Sequence, residues 1–249
     1  MDSLEKGQEV SDNAGVSGEQ DLQSDTLDEL TAAVNYRNVL VRLSLPWLGE
    51  HAVEIGSGNG DYASAWAAEG QRLTVTEALD SRLQLLRDRF SDEALVDVEE
   101  LWLPTDQEAT YSAAVAYNVL EHIEDDIAAL ASMRRLVRVG GHVVIIVPAF
   151  ELGMSDFDRK IGHFRRYRTG MVKERMREAG LEPVSVRYIN FAGLIMWVIL
   201  VRGLRRAPRN SAALRLYDRL VVPLVAGVES RVHFPFGQSV FAVGRRLAD

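Results

Sequence analysis

The sequence predicts a doubly wound α/β fold with a mainly parallel, seven-stranded sheet, and three observations carry that prediction. Seven short apolar or alternating runs are separated, over most of the chain, by segments with helical spacing of apolar residues. Two of those runs, Ser112–Asn118 and Val143–Val147, are apolar throughout, as central strands covered on both faces must be. Between the first run and the first helical segment stands Val53-Glu54-Ile55-Gly56-Ser57-Gly58-Asn59-Gly60-Asp61, which reads as a strand, a tight turn and a helix N-terminus. Glycines tolerate positive φ and carry no Cβ, so a ligand can approach the turn closely while helix N–H groups face it.

In chain order, residues 1–24 are rich in Asp, Glu, Ser, Gly and Gln, and too poor in large apolar groups to offset the entropy of ordering. They are expected to form a disordered acidic tail, with residues 25–249 as one domain. From Thr26, Leu27, Leu30, Val34, Val39 and Leu43 approximate helical spacing up to Pro46. After the glycine turn come a helix over Asp61–Ala68, a strand over Arg72–Glu77 and a helix over Asp80–Phe90. A third strand is expected over Ala94–Val98 and a fourth over Ser112–Asn118. The helix Glu124–Arg138 is expected to stop at Gly140-Gly141, ahead of the strand Val143–Val147. A long irregular segment then runs from Pro148 to Arg168, followed by a helix Thr169–Ala179 and a strand Pro183–Ile189. Residues 190–236 hold two apolar helical stretches, expected as a helical cap insertion, and the last strand is Ser239–Arg245.

The composition of 47% hydrophobic and 26% charged residues over 249 residues fits one large globular domain. The formal charge of −8 resides in residues 1–30, where nine acids face Lys6 alone. The rest is formally neutral and lacks the positive surplus that a phosphate backbone attracts, so no nucleic-acid partner is expected. Absence of cysteine excludes disulfides, thiolate zinc sites, iron–sulfur clusters and a cysteine nucleophile. No basic start followed by an apolar core is visible at the N-terminus, so a cytoplasmic location is expected.

A dinucleotide fingerprint wants Gly-x-Gly-x-x-Gly, yet Asp61 holds the third place and Gly60 precedes it. Glu77, at the end of the second strand, stands where an acid accepts hydrogen bonds from ribose hydroxyls. Glu54 with the three glycines, Glu77, Asp97-Val98 and Asn118-Val119-Leu120-Glu121-His122 together resemble the class I S-adenosylmethionine-dependent methyltransferases over roughly residues 30–190. The resemblance implies that Glu54, Gly56, Ser57, Gly58 and Gly60 hold the methionine part of S-adenosylmethionine. It further implies that Glu77 and Ala78 hold the ribose, Asp97 and Val98 the adenine, and that Asn118 and Val119 line the sulfonium side.

The segment Asp156–Tyr167 resembles a methyltransferase subgroup with Gly-His-x-Arg-Arg-Tyr after the fifth strand. His163 and His122 are the candidate catalytic residues. His163 suits a general base, histidine being the side chain whose ordinary pKa lies nearest neutrality, or else it satisfies a loop carbonyl. Arg165, Arg166 and Arg168 either contact an anionic substrate or form a solvated loop face. Some metal-dependent methyltransferases carry Glu-x-x-Glu-His after the fourth strand. Asn118 replaces the first acid here, so no metal is expected.

The reading is transfer of a methyl group to a small-molecule acceptor, hydrophobic or lipid-like on one view. A nicotinamide-dependent oxidoreductase and a non-catalytic cofactor-binding scaffold are the rivals. Phe191–Val201 is uncharged for eleven residues, short of the ~20 that span a bilayer. A cap over the cleft, with Met196 and Trp197 lining an acceptor pocket, is favoured over peripheral membrane contact. The oligomeric state is not legible.

Overall fold

The computed structural model describes residues 33–197 and 211–248. Its elements run α1 (Val34–Leu48), β1 (His51–Ile55), α2 (Asp61–Ala68), β2 (Arg72–Glu77), α3 (Asp80–Arg89), β3 (Val96–Glu100) and β4 (Tyr111–Tyr117). They continue with α4 (Asp126–Leu136), β5 (Val137–Pro148), α5 (Asp156–Lys160), α6 (Thr169–Glu178), β6 (Leu181–Ile189), α7 (Phe191–Trp197), α8 (Ser211–Glu229) and β7 (Ser239–Arg246). Short 3-10 turns occupy Leu120–His122 and Glu151–Gly153.

The seven strands form one sheet in the order β3-β2-β1-β4-β5-β7-β6. Strands β1 to β5 pair in parallel, whereas β7 inserts antiparallel between β5 and β6. Strand parity divides the core. Val143, Ile145 and Val147 face α4 and α6, packing with Leu130, Met133, Val172 and Met176. Val144 and Ile146 point the other way, toward Leu40, Trp66 and Leu86 of α1, α2 and α3. A strand covered on both sides has no room for a polar face, which explains why Ala113–Ala116 of β4 and Val143–Val147 of β5 are apolar without alternation.

Several expected boundaries shift, four of them in ways that matter to the fold. Strand β3 begins and ends two residues later than expected, because Val96 and Val98 are the alternate apolar positions and the strand continues to pair as far as Glu77 opposite Glu100. Strand β5 starts at Val137, not Val143. Gly140 (φ 81°) and Gly141 lie inside it, in a bulge where the register on β4 jumps from Tyr111/Val137 to Ala113/His142. Helix α1 runs through Pro46 to Leu48. The segment expected to be irregular holds the 3-10 turn Glu151–Gly153, α5 and a bridge from Ala149 to Tyr167. The acidic tail lies outside the described residues, as do residues 198–210, and in the described part of 190–236 α7 and α8 are helical as expected.

Candidate active site

The carboxyl ends of β1, β2 and β4 converge on the glycine turn. Gly56, Gly58 and Gly60 all adopt positive φ, at 65°, 56° and 76°. A Cβ on Gly56 would sit 2.9 Å from Val119 Cγ2, and one on Gly60 would meet Phe90 and Leu86 at 2.7–2.9 Å. Glycine is therefore required twice, once against the chain leaving β4 and once against α3. Glu77 ties the turn to β2, its Oε2 accepting from Gly58 N at 2.9 Å and its Oε1 from Ala78 N at 3.0 Å. Ser57 N donates to Thr76 O at 2.9 Å, and Thr76 N donates to Ser57 Oγ at 3.3 Å. From α3, Arg82 donates to Asn59 Oδ1 at 2.8 Å, and Arg89 reaches both Asn59 O and Asp61.

Glu54 ends its side chain in this cradle with 3% exposure. Its Oε2 has no hydrogen-bond partner, and burial, with Glu77 and Asp61 nearby, pushes its carboxyl up to about 8. A buried acid beside two other acids is costly unless a cation answers it. The cradle thus suits a ligand bearing a positive group and opposes a pyrophosphate.

Asn118 leaves β4 at φ 54°, its N–H still donating to Ile146 O at 2.8 Å, and Val119 packs on Gly56. The structure thereby brings Glu54, Gly56, Ser57, Gly58, Gly60, Glu77, Ala78, Asn118 and Val119 to one edge. It does not bring Asp97 and Val98 there. Asp97 pairs with Thr74, three residues short of Glu77 and so about 10 Å back along the sheet. Its carboxylate meets Arg72 at 3.3 Å on the exposed surface. The segment beside Glu77 is Glu100-Leu101-Trp102. Leu101 N donates to Glu77 O at 3.2 Å, and Trp102 Nε1 donates to Glu100 Oε1 at 3.0 Å. The run Leu95-Val96-Asp97-Val98 reads equally well in either register, so only the pairing with β2 reveals the shift.

Next to Asn118 lies a second cluster. Asp158 is its hub, accepting on Oδ1 from His163 Nδ1 at 2.9 Å and from Arg166 Nε and Nη2 at 2.9 and 2.6 Å. Its Oδ2 accepts from Ser155 N and Oγ at 2.8 and 2.6 Å. These partners outweigh burial and hold its carboxyl down at about 2. With Nδ1 engaged, His163 turns Nε2 toward Glu121 Oε1, 3.9 Å away. Glu121 is fully buried, neither of its oxygens has a hydrogen-bond partner, and burial raises its carboxyl to about 7. The His122 ring stands edge-on to His163 at 4.7 Å.

Sequence reasoning singled out both histidines but gave Asp158 no role. The spacing Ser155-x-x-Asp158 is a capping box closing α5, and Asp158 precedes His163 by five residues. Ligand atoms of Glu121, His122 and His163 all lie within 4.8 Å of one another, a set able to hold a divalent cation. The arginines follow neither expectation fully. Arg166 is buried on Asp158, and Arg165 donates to Ile123 O at 2.7 Å and Glu124 O at 2.5 Å and pairs with Asp126 at 3.3 Å. Arg168 lines an open cavity of about 590 Å³ with Glu151, Glu174 and Tyr188. Met196 is 39% exposed, and the Trp197 side chain lies outside the described residues.

Residues 53–143 match a family model described as a methyltransferase domain. The ubiquinone/menaquinone biosynthesis C-methyltransferase UbiE of Cupriavidus pinatubonensis is 31% identical over 107 residues, covering 39% of this chain and 43% of that protein. The ubiquinone biosynthesis O-methyltransferase of Acinetobacter baylyi is 25% identical over 114 residues, covering 41% and 48%. The chain thus spans less than half the length of these relatives. Among solved structures, the possible histamine N-methyltransferase of Thermotoga maritima superposes with a TM-score of 0.60 at 17% identity, covering 91% of this chain and 98% of that one. Geranyl diphosphate C-methyltransferase of Streptomyces coelicolor gives 0.60 at 14%, covering 84% and 79%. The sheet order, the glycine cradle and the structural superpositions converge on the fold of the class I S-adenosylmethionine-dependent methyltransferases, within which residues 53–143 match the methyltransferase-domain model.

Proposed function

We propose that the protein transfers a methyl group from S-adenosylmethionine to a small-molecule acceptor. The observation that carries this reading is the buried carboxyl of Glu54, without a partner on Oε2, in a cradle that a Cβ on Gly56 would obstruct. Glu54 would pair with the cofactor's amino group, and Glu77 would receive the ribose hydroxyls while keeping its bonds to Gly58 and Ala78. Glu100 and the Leu101 backbone, in place of Asp97 and Val98, would border the adenine. When bound, the cofactor supplies an electrophilic methyl group on a sulfonium.

The chain's own residues orient the acceptor and take its proton. Asp158 accepts from His163 Nδ1, which leaves Nε2 as the proton acceptor. Glu121, once ionised, stabilises the imidazolium that results, so turnover rises with pH through a midpoint of about 7. A hydrophobic acceptor is supported by the similar proteins named for ubiquinone biosynthesis and geranyl diphosphate. Helices α7 and α8 would then cap the acceptor side, and we place the protein in the cytoplasm.

Native extract incubated with protein and isotopically labelled methyl donor, read by mass spectrometry, should yield a labelled small molecule. No labelled product would favour the scaffold reading. With the acceptor in hand, His163→Ala should lower kcat by about 100-fold, within the 10²–10⁴ that a positioned base contributes, with cofactor affinity unchanged. The Glu121 oxygens, buried and without a hydrogen bond, favour one second reading, a divalent cation held by Glu121, His122 and His163. Dialysis against a chelator separates the two. Retained turnover supports the base, and loss restored by a divalent cation assigns the trio to a metal.

A further inference from the structure

Helix α8 carries two acids, Asp218 and Glu229, and both point inward to cap other helices. Asp218 accepts from Asn35 N at 2.9 Å and Tyr36 N at 2.8 Å, closing the start of α1 across 182 to 183 residues of sequence. Glu229 accepts from Asn190 N at 3.0 Å and Phe191 N at 2.8 Å, closing the start of α7. Val222 and Val225 are buried on the same inner side. The outer side is different. Leu216, Leu220, Leu224 and Val228 recur every four residues and are between 44% and 72% exposed. At 100° per residue they fill one sector of about 120°. Arg219 lies about 60° beyond its Leu216 edge and Arg215 about 40° further round, toward the buried side; both are exposed, and Arg231 follows the helix.

A folded protein gains nothing by presenting four large apolar side chains in line to water, and such a stripe marks a contact surface. Because both carboxylates of the helix are consumed as caps, its outer charges are cationic only. From this we infer that α8 rests on an anionic membrane surface, its leucines entering the acyl boundary and Arg215 and Arg219 meeting lipid phosphates. Self-association is disfavoured by the same charges. A second copy laid against this face would bring the arginine edges toward each other without an acid to answer them.

The placement suits the site. Helix α1 runs antiparallel to β1, so the α1 start that Asp218 caps lies at the carboxyl edge of the sheet, the edge that holds the glycine cradle. Docking itself does not depend on the identity of the acceptor.

Co-sedimentation of the full chain with vesicles tests the inference. The protein should pellet with vesicles containing phosphatidylglycerol and stay in solution with phosphatidylcholine alone. Leu220→Glu combined with Leu224→Glu should lower partitioning on the order of tenfold or more, since each leucine loses its burial. Both positions are exposed, so the melting temperature and affinity for S-adenosylhomocysteine should remain those of the wild type. Arg215→Gln with Arg219→Gln should weaken binding to the anionic vesicles only. Failure to pellet, equal binding to neutral vesicles, or pelleting unchanged in the double leucine variant would overturn the inference. So would a lipid-free dimer, seen by light scattering, that the leucine variant dissolves.

Discussion

Glu54 shows how one side chain ties pH to ligand. In the folded protein its carboxyl ionises near 8, against 4.5 for an ordinary glutamate. Between those values the unfolded chain has released a proton that the folded chain keeps, so this group makes stability fall as pH rises from about 4.5 to about 8. Glu54→Gln should flatten that slope in thermal melts. It also bears on binding. At pH 7 the folded protein holds Glu54 mostly protonated, and an ammonium that pairs with it must expel the proton. Titration calorimetry of S-adenosylhomocysteine in buffers of different ionisation enthalpy should therefore report net proton release, abolished in Glu54→Gln. At this scale the sequence was legible where a residue type has few uses: three glycines, an acid at a strand end, two histidines after strands. Asp158, Glu100 and the inward arginines were not, because a carboxylate or a guanidinium looks the same on paper whether it faces water, as Asp97 does, or closes a buried network.

Among elements, the glycines on either side of α2 separate two costs that are usually mixed. Gly56 and Gly70 both have positive φ, at 65° and 83°. A Cβ on Gly70 would meet nothing within 4 Å, whereas one on Gly56 would press Val119 Cγ2 at 2.9 Å. Gly70→Ala should thus cost only the left-handed penalty of about 1–2 kcal/mol. Gly56→Ala should cost roughly 1–3 kcal/mol more for the overpacking. Urea unfolding of the two variants gives the difference, and equal midpoints would mean that Val119 yields freely. Element type was legible wherever apolar period and glycine agreed, as in α2 and β2, whose bounds match the expectation residue for residue. It failed at Gly140-Gly141. A glycine pair after a helical pattern reads as a helix stop, yet here it serves a bulge inside β5, which only pairing with β4 can disclose.

On the scale of the molecule, alternation of strand and helix was sufficient to give a doubly wound sheet, but strand order was not contained in it. The insertion of β7 between β5 and β6 depends on edge pairing, which leaves no local mark. Residues 1–24 have too few apolar groups to join either core layer, so their deletion should leave the melting temperature and affinity for S-adenosylhomocysteine unchanged. A large drop in either would mean that the tail packs. The position of β7 also imposes an order on biosynthesis. While the chain emerges, β5 and β6 exist before the strand that must lie between them, so the run Val143–Val147 presents an unpaired, apolar edge until Ser239–Arg246 arrives. A nascent or truncated protein is thus a template for aggregation, and the last strand acts as its own chaperone. A chain stopped at Gln238 should accumulate in the insoluble fraction on expression, and co-supply of the missing segment as a peptide during refolding should return part of it to solution.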